Sequence, residues 1–119
     1  MFGAALLKTI EEAGIAVLTL TEGLQDSELL ASRLTRQEVA RQLRLLTEAA
    51  AALPTELREG MPEVDWAGMA AAGQALAGPS GRALDDALVF GSRALTPALM
   101  MWLRVYRQQQ PQWFKMTPT

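Results

Sequence analysis

The hydrophobic residues near the start of the chain follow the spacing of an amphipathic helix. From Leu6 to Leu24 they recur at alternating steps of four and three residues, which places them on one face of a helix. Gly23 predicts the end of this helix, because glycine readily adopts the left-handed backbone conformation that closes many helices. The predicted buried stripe consists of Leu6, Ile10, Ala13, Val17, Leu20 and Leu24.

A second helix carries the clearest start and stop signals. Thr35 and Glu38 have the spacing of a capping box, in which the threonine hydroxyl accepts a backbone N–H and the glutamate reaches back to the N–H of the capping residue. Pro54 predicts that the helix ends at Leu53, because proline lacks a backbone N–H and disfavours helical geometry in the residue before it. The predicted buried stripe of this helix is Val39, Leu43, Leu46, Ala50 and Leu53.

Further helices are predicted on either side of this second helix. Ser27 predicts the N-cap of a short helix, and Pro54 predicts the first position of a single helical turn that ends near Arg58. Asp65 predicts the N-cap of another substantial helix, which runs from Trp66 to about Ala77.

The last third of the chain predicts a turn, two helices and a tail. The glycines and the proline of segment 78–81 predict a turn, which a helix from Arg82 to Leu95 follows. Thr96 and Pro97 predict a new helix start, as an N-cap and a first helical residue. The polar segment 108–119, which contains two prolines, predicts an extended C-terminal tail.

These elements predict an all-α fold, an up-and-down antiparallel bundle of four main helices plus short helices. The connections are short, so we expect successive helices to be antiparallel neighbours. The bundle is predicted to occupy residues 1–107, and the extended tail residues 108–119. The predicted core is Leu6, Ile10, Val17, Val39, Leu43, Leu46, Ala50, Trp66 and Trp102.

Composition and charge exclude several classes of function. Half of the 119 residues are hydrophobic and a fifth are charged, as in ordinary globular domains, and the net charge of −2 offers no basic excess for a nucleic-acid backbone. The chain has no Cys and no His, which excludes disulfides, Cys or His metal sites and the commonest general base. We therefore expect neither a metal nor a cofactor, and no strong nucleic-acid partner.

The chain also lacks a targeting or membrane-spanning pattern. The apolar run at its start ends at Lys8, with Glu11 close behind, which is unlike a signal peptide. No apolar stretch is long enough to span a bilayer. We therefore expect a cytoplasmic protein without a membrane partner.

The middle of the chain carries an ordered series of short motifs, in which a long helix is followed by a Leu-Pro break and a Pro-x-x-x-Trp approach to the next helix. These motifs are Arg33-Leu34-Thr35-Arg36, Val39, Arg41-Gln42-Leu43, Glu48-Ala49-Ala50, Leu53-Pro54-Thr55-Glu56-Leu57-Arg58 and Pro62-Glu63-Val64-Asp65-Trp66. In order and spacing they resemble the HepT family, small helical proteins of the HEPN class that are encoded beside a minimal nucleotidyltransferase in toxin–antitoxin pairs. With a weaker likeness at each end, the resemblance covers most of Leu6 to Tyr106.

The chain departs from the family at the active site that the resemblance implies. HepT-like ribonucleases carry an arginine followed by Asn or Asp, then a histidine, and a tyrosine two residues beyond it. Counted without gaps from Trp66, these positions fall on Gly73, Gln74, Gly78 and Ser80. RNA cleavage needs a proton acceptor, a proton donor and a cation for the developing charge, and the two glycines supply none of these. In the family the nucleotidyltransferase transfers AMP to the tyrosine, whose position here is Ser80.

The sequence favours a non-catalytic HepT-like protein-binding module that forms a homodimer. A nucleotidyltransferase-family protein is the further partner that the resemblance implies. One alternative is a ribonuclease with a rebuilt active site that uses Arg82, Asp85 or Tyr106. The other is a helical scaffold unrelated to toxin–antitoxin function. RNA cleavage that a single substitution abolishes would favour the ribonuclease.

The candidate interface residues are aromatic or small. Trp66 and Trp102 can stack on a ligand or anchor the core or a dimer interface, and their place in the apolar periodicity favours the second role. Small residues after Trp66 allow two helix backbones to come close together. Trp113 and Phe114 lie outside any periodic element, and such aromatics usually dock on their own chain or another. The candidates are Trp66, Ala70, Gly73, Ala77, Trp102, Tyr106, Trp113 and Phe114, with no catalytic residue and no metal ligand among them.

Overall fold

The described part of the chain, residues 2–116 of a computed structural model, is helical and contains no β-strand. A π-helical turn, Gly91–Leu95, joins the last two α-helices, and a 3₁₀ turn, Pro111–Phe114, follows them. Within these residues, no helix has both the length and the apolar character needed to cross a membrane. The α-helices are α1 (Phe2–Thr21), α2 (Asp26–Ala31), α3 (Arg33–Ala52), α4 (Thr55–Gly60), α5 (Trp66–Ala77), α6 (Arg82–Phe90) and α7 (Thr96–Gln109).

Four main helices form the bundle, because α6, the π-helical turn and α7 continue into one another as a single long helix, residues 82–109. The other three main helices are α1, α3 and α5. Helices α3 and α5 are antiparallel: Thr47 lies beside Gly73, whereas Arg44, one turn earlier on α3, donates to the carbonyl of Leu76, one turn later on α5.

The long helix is antiparallel to α1. Glu11 of α1 forms an ion pair with Arg107, and the carbonyl of Thr21 at the other end of α1 accepts a hydrogen bond from Arg93 at 3.2 Å. The same arginine binds Asp26 at 2.9 Å, so it holds the loop after α1 against the long helix. The predicted all-α, up-and-down antiparallel bundle is confirmed.

The buried residues form two clusters, one after the other along the bundle. The larger cluster joins the N-terminal half of α1, the C-terminal half of α3 and most of α7. The smaller cluster joins the other halves of α1 and α3 to the end of α5 and to α6. Large members of the first are Leu7, Ile10, Leu46, Leu53, Met61, Leu99 and Leu103, and of the second Val17, Leu29, Val39, Leu43, Leu76 and Leu88.

Six of the nine predicted core residues are confirmed as buried, namely Ile10, Val17, Val39, Leu43, Leu46 and Ala50. The other three, Leu6, Trp66 and Trp102, are only partly buried and pack against the edge of the larger cluster. In α1 the buried position is Leu7, which lies three residues before Ile10, whereas Leu6 lies four before it. Both spacings keep a residue on the same helix face, so the pattern does not distinguish them.

Two predicted helix boundaries are confirmed. Gly23 follows the end of α1 with a φ of +77°, in the left-handed region that favours glycine. Asp65 is the N-cap of α5, since its Oδ1 accepts the backbone N–H of Gly68 at 2.8 Å.

The predicted capping box at Thr35 is wrong, because α3 begins at Arg33 and its N-cap is Ser32, three residues before Thr35. The hydroxyl of Ser32 accepts the N–H of Thr35 at 3.5 Å, and Glu38 is engaged instead with Arg41 and Gln42. Ser32 also ends α2, since its own N–H donates to the carbonyl of Glu28 at 3.1 Å. The two helices therefore share one boundary residue, which a local capping pattern does not reveal.

The N-cap of α2 also differs from the prediction. Helix α2 begins at Asp26 after the N-cap Gln25, and Ser27 lies inside it. Glu28 accepts the N–H of Gln25 at 2.8 Å and so closes the helix start by the same reciprocal arrangement as a capping box.

The predicted N-cap at Thr96 is also wrong, because α7 begins there as the continuation of a helix and not as a new one. Thr96 is fully buried and helical, with φ −66° and ψ −48°, and its N–H donates to the carbonyl of Gly91, five residues earlier. In a regular α-helix the ring of Pro97 would collide with the carbonyl four residues before it. The wider π-helical turn before Pro97 accommodates the proline, so the helix continues.

The extended tail predicted for residues 108–119 is contradicted as far as the structure describes it. Helix α7 continues to Gln109, and the 3₁₀ turn follows. Aromatic contacts fold this segment onto the bundle: the ring of Trp113 stacks on Tyr106 with centroids 5.9 Å apart, and the guanidinium of Arg107 lies 4.6 Å from the ring centre of Phe114. Residues 117–119 of the predicted tail lie outside the described residues.

We expect Leu43→Ala to lower the free energy of unfolding by roughly 2–5 kcal/mol, because a large cavity would remain in the smaller cluster. Leu43 is 2% exposed. The matched control is Leu34→Ala on the same helix, where the leucine is 79% exposed. Its effect should stay within about 0.5 kcal/mol. Urea unfolding measures both, and equal losses would contradict the assigned core.

Candidate interaction face

The sequence-predicted interface residues fall into two separate groups. Trp66, Ala70, Gly73 and Ala77 lie on α5, and the first three adjoin α3 or α4. The second group lies on α7 and the 3₁₀ turn, and consists of Trp102, Tyr106, Trp113 and Phe114. Only the first group includes exposed small residues on a helix surface.

One side of α5 exposes four alanines and one glutamine. The buried side of this helix carries Met69, Ala72 and Leu76, whereas Ala70, Ala71 and Gln74 are exposed. Because no large side chain covers the exposed side, the backbone of another helix can come close to it. We call this surface the α5 face; it consists of Ala67, Ala70, Ala71, Gln74 and Ala77.

The four positions of the family motif surround one end of the α5 face. Gln74 is exposed on the helix, and Gly78 is the C-cap, with its N–H bound to the carbonyl of Ala75 at 3.2 Å. Ser80 lies in the turn beyond the helix and is exposed. Neither Gln74 nor Ser80 titrates near neutrality, so these positions offer no acid and base for RNA cleavage.

Gly73 does not face open solvent, since it packs against α3. A Cβ atom at this position would lie 3.3 Å from the Cβ and Oγ1 atoms of Thr47. The hydroxyl of Thr47 is itself bound to the carbonyl of Arg44 at 3.2 Å. A long side chain at position 73, such as the arginine of the family motif, would therefore displace α3 or its threonine.

A small cavity of about 90 Å³ lies beside the α5 face, between α3, α4 and α5. Trp66 forms one wall, and its indole Nε1 donates to the carbonyls of Arg58 and Met61, both at 3.1 Å. These two bonds fix the ring and tie α4 to the start of α5. The cavity is lined by Thr47, Ala50, Ala51, Arg58, Trp66, Met69 and Ala70.

Arg58 lines this cavity, and one donor of its guanidinium is unsatisfied. Its Nη2 is 3.4 Å from the hydroxyl of Thr55, but its Nε is buried and has no hydrogen-bond partner among the described residues. Sequence reasoning missed this arginine as a site residue. No local signal marks it, because its surroundings come from α3 and α5, which lie before and after it in the chain.

Trp102 lines a different groove, of about 120 Å³, between the start of α5 and the long helix. The groove is mainly apolar, and Phe90 at its rim is 48% exposed. It is separate from the cavity at Trp66, so the structure does not bring the two tryptophans into one site. The apolar lining includes Val64, Met69, Phe90, Leu95, Leu99 and Trp102.

The remaining aromatic candidates hold the end of the chain in place. Tyr106 donates its hydroxyl hydrogen bond to the carboxylate of Glu63 and stacks on Trp113. This hydrogen bond, together with burial, raises the pKa of Tyr106 above its ordinary value of 10.0. Its hydroxyl is therefore occupied in a structural contact.

The residues of the alternative, rebuilt ribonuclease site are not brought together. Arg82 begins α6 with its side chain 94% exposed, and Asp85 is paired with Arg36. Tyr106 lies 24 residues further along the same long helix, which at a rise of about 1.5 Å per residue corresponds to roughly 36 Å. These groups cannot act on one substrate atom within a single chain.

Much of the positive charge near α3 and the long helix is already paired. Arg36, Arg93 and Arg107 each contact a carboxylate of another helix. Hydrogen bonds from Arg41 and Gln42 lower the pKa of Glu38 from 4.5 to about 2, so this carboxylate stays ionised beside its arginine.

Among the residues that the structure describes, no three Asp or Glu side chains are grouped to hold a metal ion.

Comparisons of the chain with models of known protein families, with curated proteins and with solved structures found no match. Function is therefore inferred from the surfaces themselves. The α5 face is an exposed surface without charged side chains, and the cavity lined by Trp66 and Arg58 adjoins it.

We expect Tyr106 to ionise above its ordinary pKa in the folded protein, and the shift should shrink in Glu63→Gln, which removes the accepting charge. Ultraviolet absorbance of the phenolate measures this directly, since the chain has one tyrosine. Because the folded pKa is raised, the bond stabilises the fold fully below the unfolded pKa and is lost as the pH rises through the folded value. A midpoint that is equal in folded and urea-unfolded protein would contradict the assigned hydrogen bond.

Proposed function

We propose that this protein is a non-catalytic, HepT-like protein-binding module that forms a homodimer through the α5 face. The single observation that carries the proposal is the run of exposed small residues on α5, which adjoins the positions where the resemblance places an active site. Small residues permit a close helix contact there, while the groups needed for RNA chemistry are missing. Binding is the use that remains for this surface.

The apolar character of the chain supports a dimer. Half of its residues are hydrophobic, and several large apolar side chains remain exposed in the single chain, including Ile15, Phe90 and Met101. A two-fold contact between identical faces is the simplest closed assembly, because each copy presents the same surface to the other. A stable contact of this kind buries more than about 1,000 Å².

A nucleotidyltransferase-family protein is the second partner in this proposal. The support is the resemblance together with Ser80, which stands exposed in the turn after α5 at the position of the modified tyrosine. A gene for such an enzyme beside the gene for this chain would support the partner. Its absence would favour a helical scaffold unrelated to toxin–antitoxin function.

We expect sedimentation to show a dimer at tens of micromolar and Ala70→Arg to weaken it by at least about tenfold, because two like charges would meet across the contact. Ala70 suits this test better than Gly73, where a side chain would disturb α3 inside the same chain. The control is Ala5→Arg, an exposed alanine of α1, a helix that packs mainly against α3 and α7. It should leave the dimer unchanged.

A wild-type protein that stays monomeric across this concentration range would refute the homodimer. A dimer that Ala70→Arg leaves intact would show that the contact lies elsewhere than on the α5 face.

We expect no metal-independent cleavage of RNA by the purified protein, because no histidine is present and the motif positions carry two glycines. A quenched fluorescent RNA substrate measures this, with Tyr106→Phe and Arg82→Ala purified in parallel to identify contaminating nuclease. Cleavage that persists in the wild type and disappears in one of these variants would establish the alternative, a ribonuclease with a rebuilt site.

A further inference from the structure

Residues 22–32, which connect α1 to α3 and include α2, lie between two breaks in the helical backbone. Gly23 has a φ of +77° just after the end of α1, and Ser32 is extended, with φ −81° and ψ 108°, between α2 and α3. Helix α2 has six residues, far fewer than the roughly 12–15 that an isolated helix needs to be stable in water. We call residues 22–32 the strap. Its structure depends on contacts with the rest of the chain.

The apolar attachment of α2 to the bundle is small. Leu29 is fully buried and belongs to the smaller cluster, together with Val17, Val39 and Leu88. Leu30 is partly buried against the same cluster, whereas the other residues of α2 are exposed. The hydrophobic contact of this helix is therefore confined to two neighbouring leucines.

Arg93 of the π-helical turn holds the start of the strap by three hydrogen bonds. Its Nε donates to Asp26 Oδ1 at 2.9 Å, and its Nη1 donates to the carbonyl of Thr21 at 3.2 Å. Its Nη2 donates to the carbonyl of Leu24. A cation is favourable beside the carbonyls at the C-terminal end of a helix, because those groups lack partners within the helix. One guanidinium therefore ties the end of α1 and the start of α2 to the long helix.

The other end of the strap is held more weakly, and the bundle has contacts that do not involve the strap. Nη1 of Arg36 lies 3.5 Å from the carbonyl of Leu30, at the limit of a hydrogen bond. Nη2 of the same arginine is paired with Asp85, and this pair joins α3 to α6 directly. The four main helices also contact one another without the strap. Departure of the strap would leave these contacts in place.

We propose that the strap opens as a unit while the rest of the bundle stays folded, and that Arg93 holds it closed. Opening breaks the three hydrogen bonds of Arg93 and withdraws Leu29 from the smaller cluster, where its place becomes an open apolar slot. Segments with few buried contacts open locally at a lower free-energy cost than global unfolding. This inference does not depend on the homodimer of the proposed function.

Thiol labelling tests the opening, because the chain has no cysteine of its own. Leu29→Cys and Leu103→Cys each place one thiol at a fully buried leucine, the first in the strap and the second in the larger cluster. When reclosing is faster than the reaction with N-ethylmaleimide, the labelling rate reports the open fraction. The thiol at position 29 should react at least about tenfold faster, because it needs only the local opening.

The dependence on urea provides a second measurement. The labelling rate at position 29 should rise less steeply with urea than the rate at position 103, because local opening exposes less surface than global unfolding. Equal rates with an equal dependence on urea would overturn the proposal, since the strap would then open only when the whole chain unfolds.

Arg93→Gln tests the role of the arginine in the Leu29→Cys protein. It should raise the labelling rate at least about fivefold, because hydrogen bonds from a charged donor are lost from the closed state. Arg82→Gln, at an arginine whose side chain is 94% exposed, is the matched control and should have no effect. An unchanged rate in Arg93→Gln would overturn the assigned role. If circular dichroism shows that Arg93→Gln does not fold, Asp26→Asn replaces it and must still raise the rate.

Ile10→Val separates local opening from a general loss of stability. Ile10 is fully buried in the larger cluster, so this substitution should raise the labelling rate at position 103 about two- to tenfold. It should leave the rate at position 29 unchanged, because the strap opens without disturbing the larger cluster. If both rates rise by the same factor, the strap is not a separate unit and the proposal is wrong.

Discussion

Leu43 and Thr47, one turn apart on α3, each pack against the backbone of a glycine on a neighbouring helix. A Cβ atom would lie 3.0 Å from Leu43 at Gly91 and 3.3 Å from Thr47 at Gly73. These two close approaches bring the long helix and α5 against α3. Protein interiors are packed about as densely as organic crystals, so a long side chain at either glycine would displace Leu43 or Thr47. The position of the α5 face therefore depends on this contact.

The sequence predicts the helices whose boundaries and faces are local properties. The stripe of α3 and the Asp65 cap follow from spacing and capping chemistry. Thr96 and Pro97 form an equally good local start signal, yet the chain stays helical through them because α7 must continue along the core. The sequence predicts that Trp113 docks on some surface, but it does not identify Tyr106 as the partner, because tertiary packing brings the two rings together. Competition between local and long-range contacts is invisible in a single stretch of sequence.

The candidate site also contains some residues that the sequence identifies and others that only the structure identifies. The small exposed residues of α5, such as Ala70, are evident from composition and helical spacing alone. Arg58 is not, because its cavity is made where α4 folds back beneath Trp66 and against α3. Gly73 shows a third case: the sequence identifies the missing side chain, but only the structure shows that Thr47 occupies the space beside it. A missing catalytic side chain can be recognised from the sequence, whereas a cavity that several helices form together cannot.

The π-helical turn requires a fixed number of residues between α6 and α7. Each residue rotates a helix by about 100°, so the wider turn changes the angular phase between the two segments that it joins. Before the turn Leu88 faces the smaller cluster, and after it Leu99 faces the larger one. Loss of one residue between Gly91 and Leu95 would rotate the exposed Met101 toward the interior. The fold therefore constrains the number of residues in this segment as well as their identity.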